Sequence, residues 1–298
     1  MTTTAPSPAV TEARAARTPV APPQAAIDAC VAIVLAEDIG SGDLSADLLP
    51  EGIMAEARVI SRQTAVIAGR PWFDACFRQV DPEVAIEWQV DEGESVEAGQ
   101  VLCRLRGLAR SLVTAERCAL NFLQTLSATA TATAGYVARI EGTGASILDT
   151  RKTLPGLRLA QKYAVCAGGG KNHRMGLHDA IMLKENHIAA SGSIAEAVDQ
   201  ARKLHPDAPL ICEVETLDEL RQALDAGVAH VLLDEFPLDA LREAVRINAS
   251  RAKLEASGGI ERDGLHAIAE SGVDYISVGA ITKHIHAVDL SMRVTAAG

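Results

Sequence analysis

The chain has 298 residues, 48% hydrophobic and 3% aromatic, and its 39 acids outweigh 28 Lys and Arg for a net charge of −11. That length allows one large domain or two ordinary ones with a well-filled core. The acidic balance argues against nucleic acid or an anionic membrane as a partner, and no run of ~20 apolar residues is present to cross a bilayer.

Residues 1–24 are mostly Ala, Thr and Pro and lack the apolar centre of a secretory signal, so a disordered tail is expected. Residues 25–37 predict a helix with Ile27, Cys30, Val31, Val34 and Leu35 on one face, and a turn-rich loop follows at 38–43. Between 55 and 107 the pattern becomes short strands, at 57–60, 65–68 and 84–88. Residues 93–102 resemble the glycine-punctuated hairpin of lipoyl-type β-sandwiches. No lysine stands at its tip, so a structural β-layer is expected rather than a swinging-arm carrier.

A long helix is predicted from 111 to about 140. Arg117 is placed near its start, where a cation works against the macrodipole. An anion site and a surface arginine paired with Glu116 are equally good readings there. Residues 127–134 alternate Ala with Ser and Thr and would let another backbone approach closely. The six cysteines are scattered, with no Cys-x-x-Cys and no histidine at ligand spacing. A disulfide framework, a zinc site and a redox centre therefore lack support, and a cytoplasmic protein is expected.

From residue 146 apolar strand-like runs start near Ile147, Ile181, Leu210, His230, Leu254 and Tyr275, with helix signals between them. Ser193 with Glu196 and Thr216 with Glu219 read as capping boxes, and residues 238–245 and 265–271 as two further helices. Repeating βα units imply a parallel sheet with right-handed crossovers. Six of them predict an α/β barrel or most of one.

In such a barrel the chemistry sits at the carboxyl ends of the strands. Here those ends carry Arg151 and Lys152, then Lys184, Glu213, Asp234, Ser257-Gly258-Gly259, and Gly279. One polar strand end is an ordinary loop. Two basic, two acidic and two glycine ends in succession are poorly explained by solvation alone. Between Asp149 and His187 seven Lys or Arg face only three acids, which in an anionic chain points to a multiply anionic ligand. Arginine forks suit carboxylates and lysines suit phosphates. Glu213 and Asp234 are hard oxygen ligands for Mg²⁺ shared with substrate phosphates, or acceptors for ribose hydroxyls. The glycine ends resemble backbone phosphate sites. Gly168-Gly169-Gly170 lacks a P-loop ending and reads as a lid or a turn. A lone His173 is more often structural, but Lys171 and Arg174 beside it favour a site role. The residues by themselves describe a barrel enzyme for one carboxylate-bearing and one phosphate-bearing substrate, with the reaction left open. A general phosphate-binding isomerase or synthase would show a well-placed acid/base pair, and none is found.

The runs Glu37-Asp38-Ile39-Gly40-Ser41-Gly42-Asp43-Leu44, Glu116-Arg117-Cys118-Ala119-Leu120-Asn121, Asp149-Thr150-Arg151-Lys152-Thr153 and Gly169-Gly170-Lys171-Asn172-His173-Arg174 occur in that order. Leu183-Lys184-Glu185-Asn186-His187, Glu213-Val214-Glu215, Glu255-Ala256-Ser257-Gly258-Gly259-Ile260 and Ser277-Val278-Gly279-Ala280 follow. Together they resemble the quinolinate phosphoribosyltransferase family over all but the N-terminal tail. The resemblance implies an open seven-stranded α/β barrel (residues 129–284) with an N-terminal α/β-sandwich domain (25–128 and 285–298). It implies a homodimer, within reach of a hexamer, with shared active sites. Quinolinate would meet Arg117 of the partner chain, Thr150, Arg151, His173, Arg174 and Lys184. Phosphoribosyl pyrophosphate and Mg²⁺ would meet Lys152, Lys184, Glu213 and Asp234, and the 5′-phosphate Ser257, Gly258 and Gly279. Two positions depart from the family pattern. Glu235 stands where Asn is usual after Leu-Asp, and Lys283 sits between Thr282 and His284 near the phosphate end. Two alternatives on the same fold, a nicotinate-using paralogue and a non-catalytic anion binder, are separated by assay.

Overall fold

A computed structural model describes residues 19–296. The expected disordered tail lies mostly outside them, and Gln24 already opens the first helix. The chain divides into two units. One comprises the described residues to Ala132, with Leu159–Gly169 and the stretch from Ile285; the other is Thr133–Arg158 with Gly170–His284.

In the first unit, helix α1 (Gln24–Ile39) buries Ile27, Val31 and Leu35, one residue per turn. Strand β1 (Met54–Ser61) alternates exposed and buried along its length. Its partners are antiparallel β5 (Val101–Leu108) and β12 (Leu290–Ala296), and β3 (Ala85–Trp88) joins β5, for a sheet order β12-β1-β5-β3. The buried side chains Ala57, Val59 and Leu105 share one face, while Arg58, opposite both Arg104 and Arg293, lies on the other. Helix α2 (Arg70–Val80) starts with a proline in its first turn and buries Trp72, Phe73, Ala75, Cys76 and Phe77. Phe73 packs tilted against Phe77 and edge-on to Trp88, at 5.1 and 5.2 Å between centroids. Each such ring contributes about 2–3 kcal/mol by burial.

The expected lipoyl-like hairpin is not formed. β4 (Ser95–Val96) pairs with β2 (Ala65–Val66), whereas β5 belongs to the larger sheet. Gly93 and Gly99, both at positive φ, let the chain turn between them. Helix α3 (Ala109–Val137) explains the small polar run. Ser127 Oγ accepts from the Ala68 N–H at 3.1 Å and donates to its carbonyl at 3.2 Å. Thr131 Oγ1 does the same for Val66 at 2.9 and 3.4 Å. The short residues admit a neighbouring backbone and supply the hydrogen bonds a strand partner would otherwise make. Arg117 is exposed and lies more than two turns into α3, not near its start. The macrodipole therefore has little hold on it.

The second unit holds all six predicted strands: β6 (Ser146–Leu148), β7 (Ile181–Leu183), β8 (Leu210–Val214), β9 (His230–Asp234), β10 (Lys253–Ser257) and β11 (Tyr275–Ser277). They form one parallel sheet in the order β6-β11-β10-β9-β8-β7. Lys171 adds an isolated parallel bridge to Leu148 on the open side of β6. Between strands run α5 (Glu185–Ser191), α6 (Ile194–Leu204), α7 (Leu217–Asp225), α8 (Leu238–Asn248), α9 (Leu265–Glu270) and α10 (Ala280–Lys283). The preceding helix α4 (Arg158–Ala167) lies almost wholly in the first unit. Thr216 and Glu219 form a full capping box on α7. On α6 only Ser193 caps, because the Glu196 carboxylate takes the Ser193 hydroxyl instead of its backbone. The triple glycine is the turn that ends α4, with Gly168 N–H on the Ala164 carbonyl and Gly169 at positive φ. All six cysteines are free thiols. No helix among the described residues is long and apolar enough to cross a membrane.

Candidate active site

Side chains alternate along a strand, so each strand of the parallel sheet has two faces. Cys212, Val214, Val231, Leu233, Leu254, Ala256 and Ile276 are buried apolar residues of one. On the other, Met182, Glu213, Leu232, Asp234, Glu255, Ser257 and Ser277 line a cavity of about 270 Å³, closed by Thr150, Arg151, Lys152, His173, Arg174 and Lys184. A larger open depression of about 930 Å³ lies in the first unit, among Arg70, Asp74, Glu92 and Tyr163. Its charges are of mixed sign, with Arg70 on Asp91 at 3.3 Å, so it lacks the convergent chemistry of the smaller cavity.

After β6 the chain turns sharply. The Lys152 N–H donates to Thr150 Oγ1 at 3.0 Å, and Thr282 Oγ1 donates to the Lys152 carbonyl at 2.8 Å. A Cβ on Gly279 would come within 3.0 Å of Lys152 Cδ, so glycine leaves room for that side chain. Arg158 staples two loops, reaching Thr153 Oγ1 (3.3 Å) and the carbonyls of Met175 (3.3 Å) and Arg151 (3.5 Å). Arg174 follows the next turn, its guanidinium donating to the Ala180 carbonyl at 2.9 Å. Burial, and then repulsion from Arg151, lowers its pKa, the signature of two cations converging on one place. After β7, Lys184 Nζ meets Glu213 Oε2 at 2.5 Å. After β9 and β10 two backbones cross closely: a Cβ on Gly258 would fall 2.5 Å from Glu235 Cγ, and Gly258 takes φ +92°. Glu235 itself is held at φ 55° by its N–H bond to the Ser257 carbonyl.

The cationic island therefore divides. Arg151, Lys152, Arg174 and Lys184 line the cavity, and Arg158 braces its loops. Lys162 is fully buried in the first unit, and Lys171 sits over the Tyr275 ring, 6.0 Å from its centroid. Thr150, His173, Glu213, Asp234 and Ser257 line the same cavity. Gly258 and Gly279 shape its loops, Lys283 is exposed at the end of α10, and Arg117 belongs to the first unit.

Glu255 was not singled out from the sequence. It is completely buried at the middle of β10, with Oε2 at 2.8 Å from His230 Nε2 and 3.4 Å from His173 Nε2. Burial alone would raise its pKa; the two imidazoles outweigh that and bring it to about 2. The available signal was its phase: Glu255 lies two residues before Ser257 and so on the same face.

Among the described residues no three His, Cys, Asp or Glu side chains are grouped to hold a metal. Glu213 and Asp234, on adjacent strands, still offer two hard carboxylates. That suits a Mg²⁺ taking its other ligands from phosphate and water.

Sequence models of the quinolinate phosphoribosyl transferase N-terminal and C-terminal domains match residues 43–127 and 129–293. The chain is 40% identical over 260 residues to a probable nicotinate-nucleotide pyrophosphorylase (carboxylating) of Bacillus subtilis, covering 87% of this chain and 90% of the relative. It resembles the solved nicotinate-nucleotide pyrophosphorylase of Francisella tularensis, with TM-score 0.88, 45% identity, and coverage of 92% and 98%. The NadC structure from Streptococcus pyogenes gives TM-score 0.91, 37% identity, and coverage of 94% and 100%.

Proposed function

The chain belongs to the quinolinate phosphoribosyl transferase family, and on that premise we propose that it joins quinolinate to phosphoribosyl pyrophosphate with loss of CO₂. The products are nicotinate mononucleotide, CO₂ and pyrophosphate, a step of NAD biosynthesis. The observation that carries this reading is the charge pattern of one cavity: four cations and the carboxylates Glu213 and Asp234 at the ends of neighbouring parallel strands.

Arg151 and Arg174 grip the two ring carboxylates, with Lys184, Thr150 and the edge of His173 beside them. Lys152 neutralises the phosphoribosyl donor, and Ser257, Gly258 and Gly279, with the charge of Lys283, receive its 5′-phosphate. Held so, the pyridine nitrogen forms a bond to the anomeric carbon as the bond to pyrophosphate breaks. Glu213 and Asp234 stabilise the positive charge that develops on the ribose ring, and Lys184 holds Glu213 in place. They would also hold Mg²⁺, which when bound would neutralise the departing pyrophosphate. The C2–carboxylate bond then cleaves, its electron pair is stabilised by the neighbouring pyridinium, and that carbon takes a proton from solvent. Positioning and neutralisation supply the catalysis, and no general base is needed.

The barrel is the open seven-stranded one. The sheet order, with β6 and β7 as edges, and the isolated Lys171 bridge beside β6 support that reading. The sandwich domain is the sheet of β12-β1-β5-β3 with α1 and α2. The protein works in the cytoplasm as a homodimer, able to assemble further to a hexamer, with the partner's Arg117 completing each site. Incubation with quinolinate, phosphoribosyl pyrophosphate and Mg²⁺ should yield nicotinate mononucleotide and CO₂ in equal amounts; a folded protein giving neither is not this enzyme. Nicotinate in place of quinolinate should give no CO₂. At quinolinate concentrations too low for Arg117→Ala or Arg151→Ala protein to turn over alone, mixing the two should restore about a quarter of wild-type activity through heterodimers with one intact site; no recovery would remove Arg117 from the partner's site.

A further inference from the structure

We infer that Glu255 is a positioning residue for the carboxylate-gripping end of the cavity, acting on Arg174 through the His173 ring. The role rests on the dicarboxylate reading above, but the geometry stands apart from it. A carboxylate in the interior of a parallel strand is out of place, because such strands are ordinarily apolar and a buried charge is costly unless paired. Glu255 is completely buried, in register with Leu232 on one side and Tyr275 on the other. Its Oε2 gathers two imidazoles, His230 at 2.8 Å and His173 at 3.4 Å.

His173 passes that constraint on. Its Nδ1 accepts the Arg174 backbone N–H at 2.7 Å. A neutral ring that accepts at Nδ1 carries its proton on Nε2, the nitrogen that faces Glu255. The carboxylate thus selects the tautomer that can hold the Arg174 amide. From the other side the buried Asp149 accepts from Asn172 Nδ2 at 2.6 Å and from the His173 N–H at 2.9 Å. The turn 172–174 is clamped between two buried carboxylates, and the Arg174 guanidinium leaves it beside the cavity. Fork-to-carboxylate pairing tolerates little displacement. Loosening the turn should therefore weaken quinolinate selectively and leave the phosphoribosyl donor, which meets Lys152, Glu213 and Asp234, largely unaffected.

Long-range ¹H–¹⁵N spectra of the imidazoles read the tautomer directly. Wild-type His173 is expected as the Nε2–H form. E255Q, whose amide can present a donor to that nitrogen, should shift the ring toward the Nδ1–H form. It should raise KM for quinolinate about tenfold while kcat and the donor KM stay within about threefold, and E255D should recover part of the loss. A wild-type His173 that is Nδ1–H or doubly protonated overturns the inference. So does an E255Q with unchanged tautomer and quinolinate KM, or one that loses thermal stability and raises both KM values alike. If E255Q does not fold, the wild-type spectrum and E255D decide. If the wild-type protein shows no turnover, the proposed function fails, while the tautomer still tests whether Glu255 sets the ring.

Discussion

The two sheets place their polar residues in opposite ways. In the antiparallel sheet, β1 alternates strictly, and Arg58, Arg104 and Arg293 form a cross-strand row on the face away from the core. Polar residues at every second position are what a sheet with one apolar face requires, so they carry no chemistry by themselves. In the parallel sheet one face buries Val231, Leu233, Leu254 and Ile276, and the other brings Glu213, Asp234 and Glu255 to the cavity. A polar residue inside a parallel strand is the informative one. The same contrast appears in two carboxylates. Burial pushes Glu92, in the first unit, up to about 7, although it accepts from the N–H groups of Gly69 and Arg70. Glu255 is buried more deeply, yet two histidines bring it down to about 2.

The contrast can be broken by substitution. Leu233→Ala, on the apolar face, should cost about 3 kcal/mol in urea unfolding and leave kcat/KM of the folded enzyme within about threefold. A large kinetic loss at full stability would mean the two faces are not separate. Arg151→Ala, at the cavity, should do the reverse: KM for quinolinate rises about 100-fold, ~2.7 kcal/mol, with the donor KM and Tm nearly unchanged. Equal losses for both substrates would contradict the carboxylate-binding role proposed for it.

Glu92 sharpens the comparison through pH. Its folded pKa is raised, so its contribution to stability is fully present below about pH 4.5 and lost as pH rises through about 7. Across that window wild type should lose about 2 kcal/mol, allowing for partial exposure, and Glu92→Gln should flatten the loss. Glu255 is depressed, so its contribution is present above about pH 4.5 and lost as pH falls through about 2. Stability curves of the Gln variants should therefore depart from wild type at opposite ends of the pH scale. The smallest effect is expected at Glu235, a non-glycine residue at φ 55°. Asn tolerates that conformation better, so Glu235→Asn should gain about 1 kcal/mol and raise Tm by about 2 °C. No gain would show that the loop relieves the strain in another way.

Much of this was legible in the residues. All six parallel strands were visible as apolar runs, and their carboxyl ends already carried Arg151, Lys152, Lys184, Glu213 and Asp234. Strand spacing and strand-end chemistry are local properties, and a chain reports them without knowing its fold. Pairing is not local. Residues 93–102 read as a hairpin, yet the partner of β4 lies about 30 residues earlier, at β2. The capping signal at Ser193 and Glu196 was half right, because one side-chain rotamer decides whether the glutamate reaches a backbone N–H.

The seven basic residues between Asp149 and His187 mark best where sequence stops. Composition alone pointed to an anion site in this stretch, because so dense a charge in an acidic chain needs a counter-charge. Which cations belong to it was decided by the tertiary structure. Arg151, Lys152, Arg174 and Lys184 turn to one cavity, Arg158 is taken up in bracing loops, and Lys162 is buried in the other unit. Glu255 makes the same point in reverse. Its sequence neighbourhood announces a strand. Only the approach of His173 and His230, from 82 and 25 positions away, accounts for a charge held there. A charge is tolerated in a core only by partners that distant segments supply.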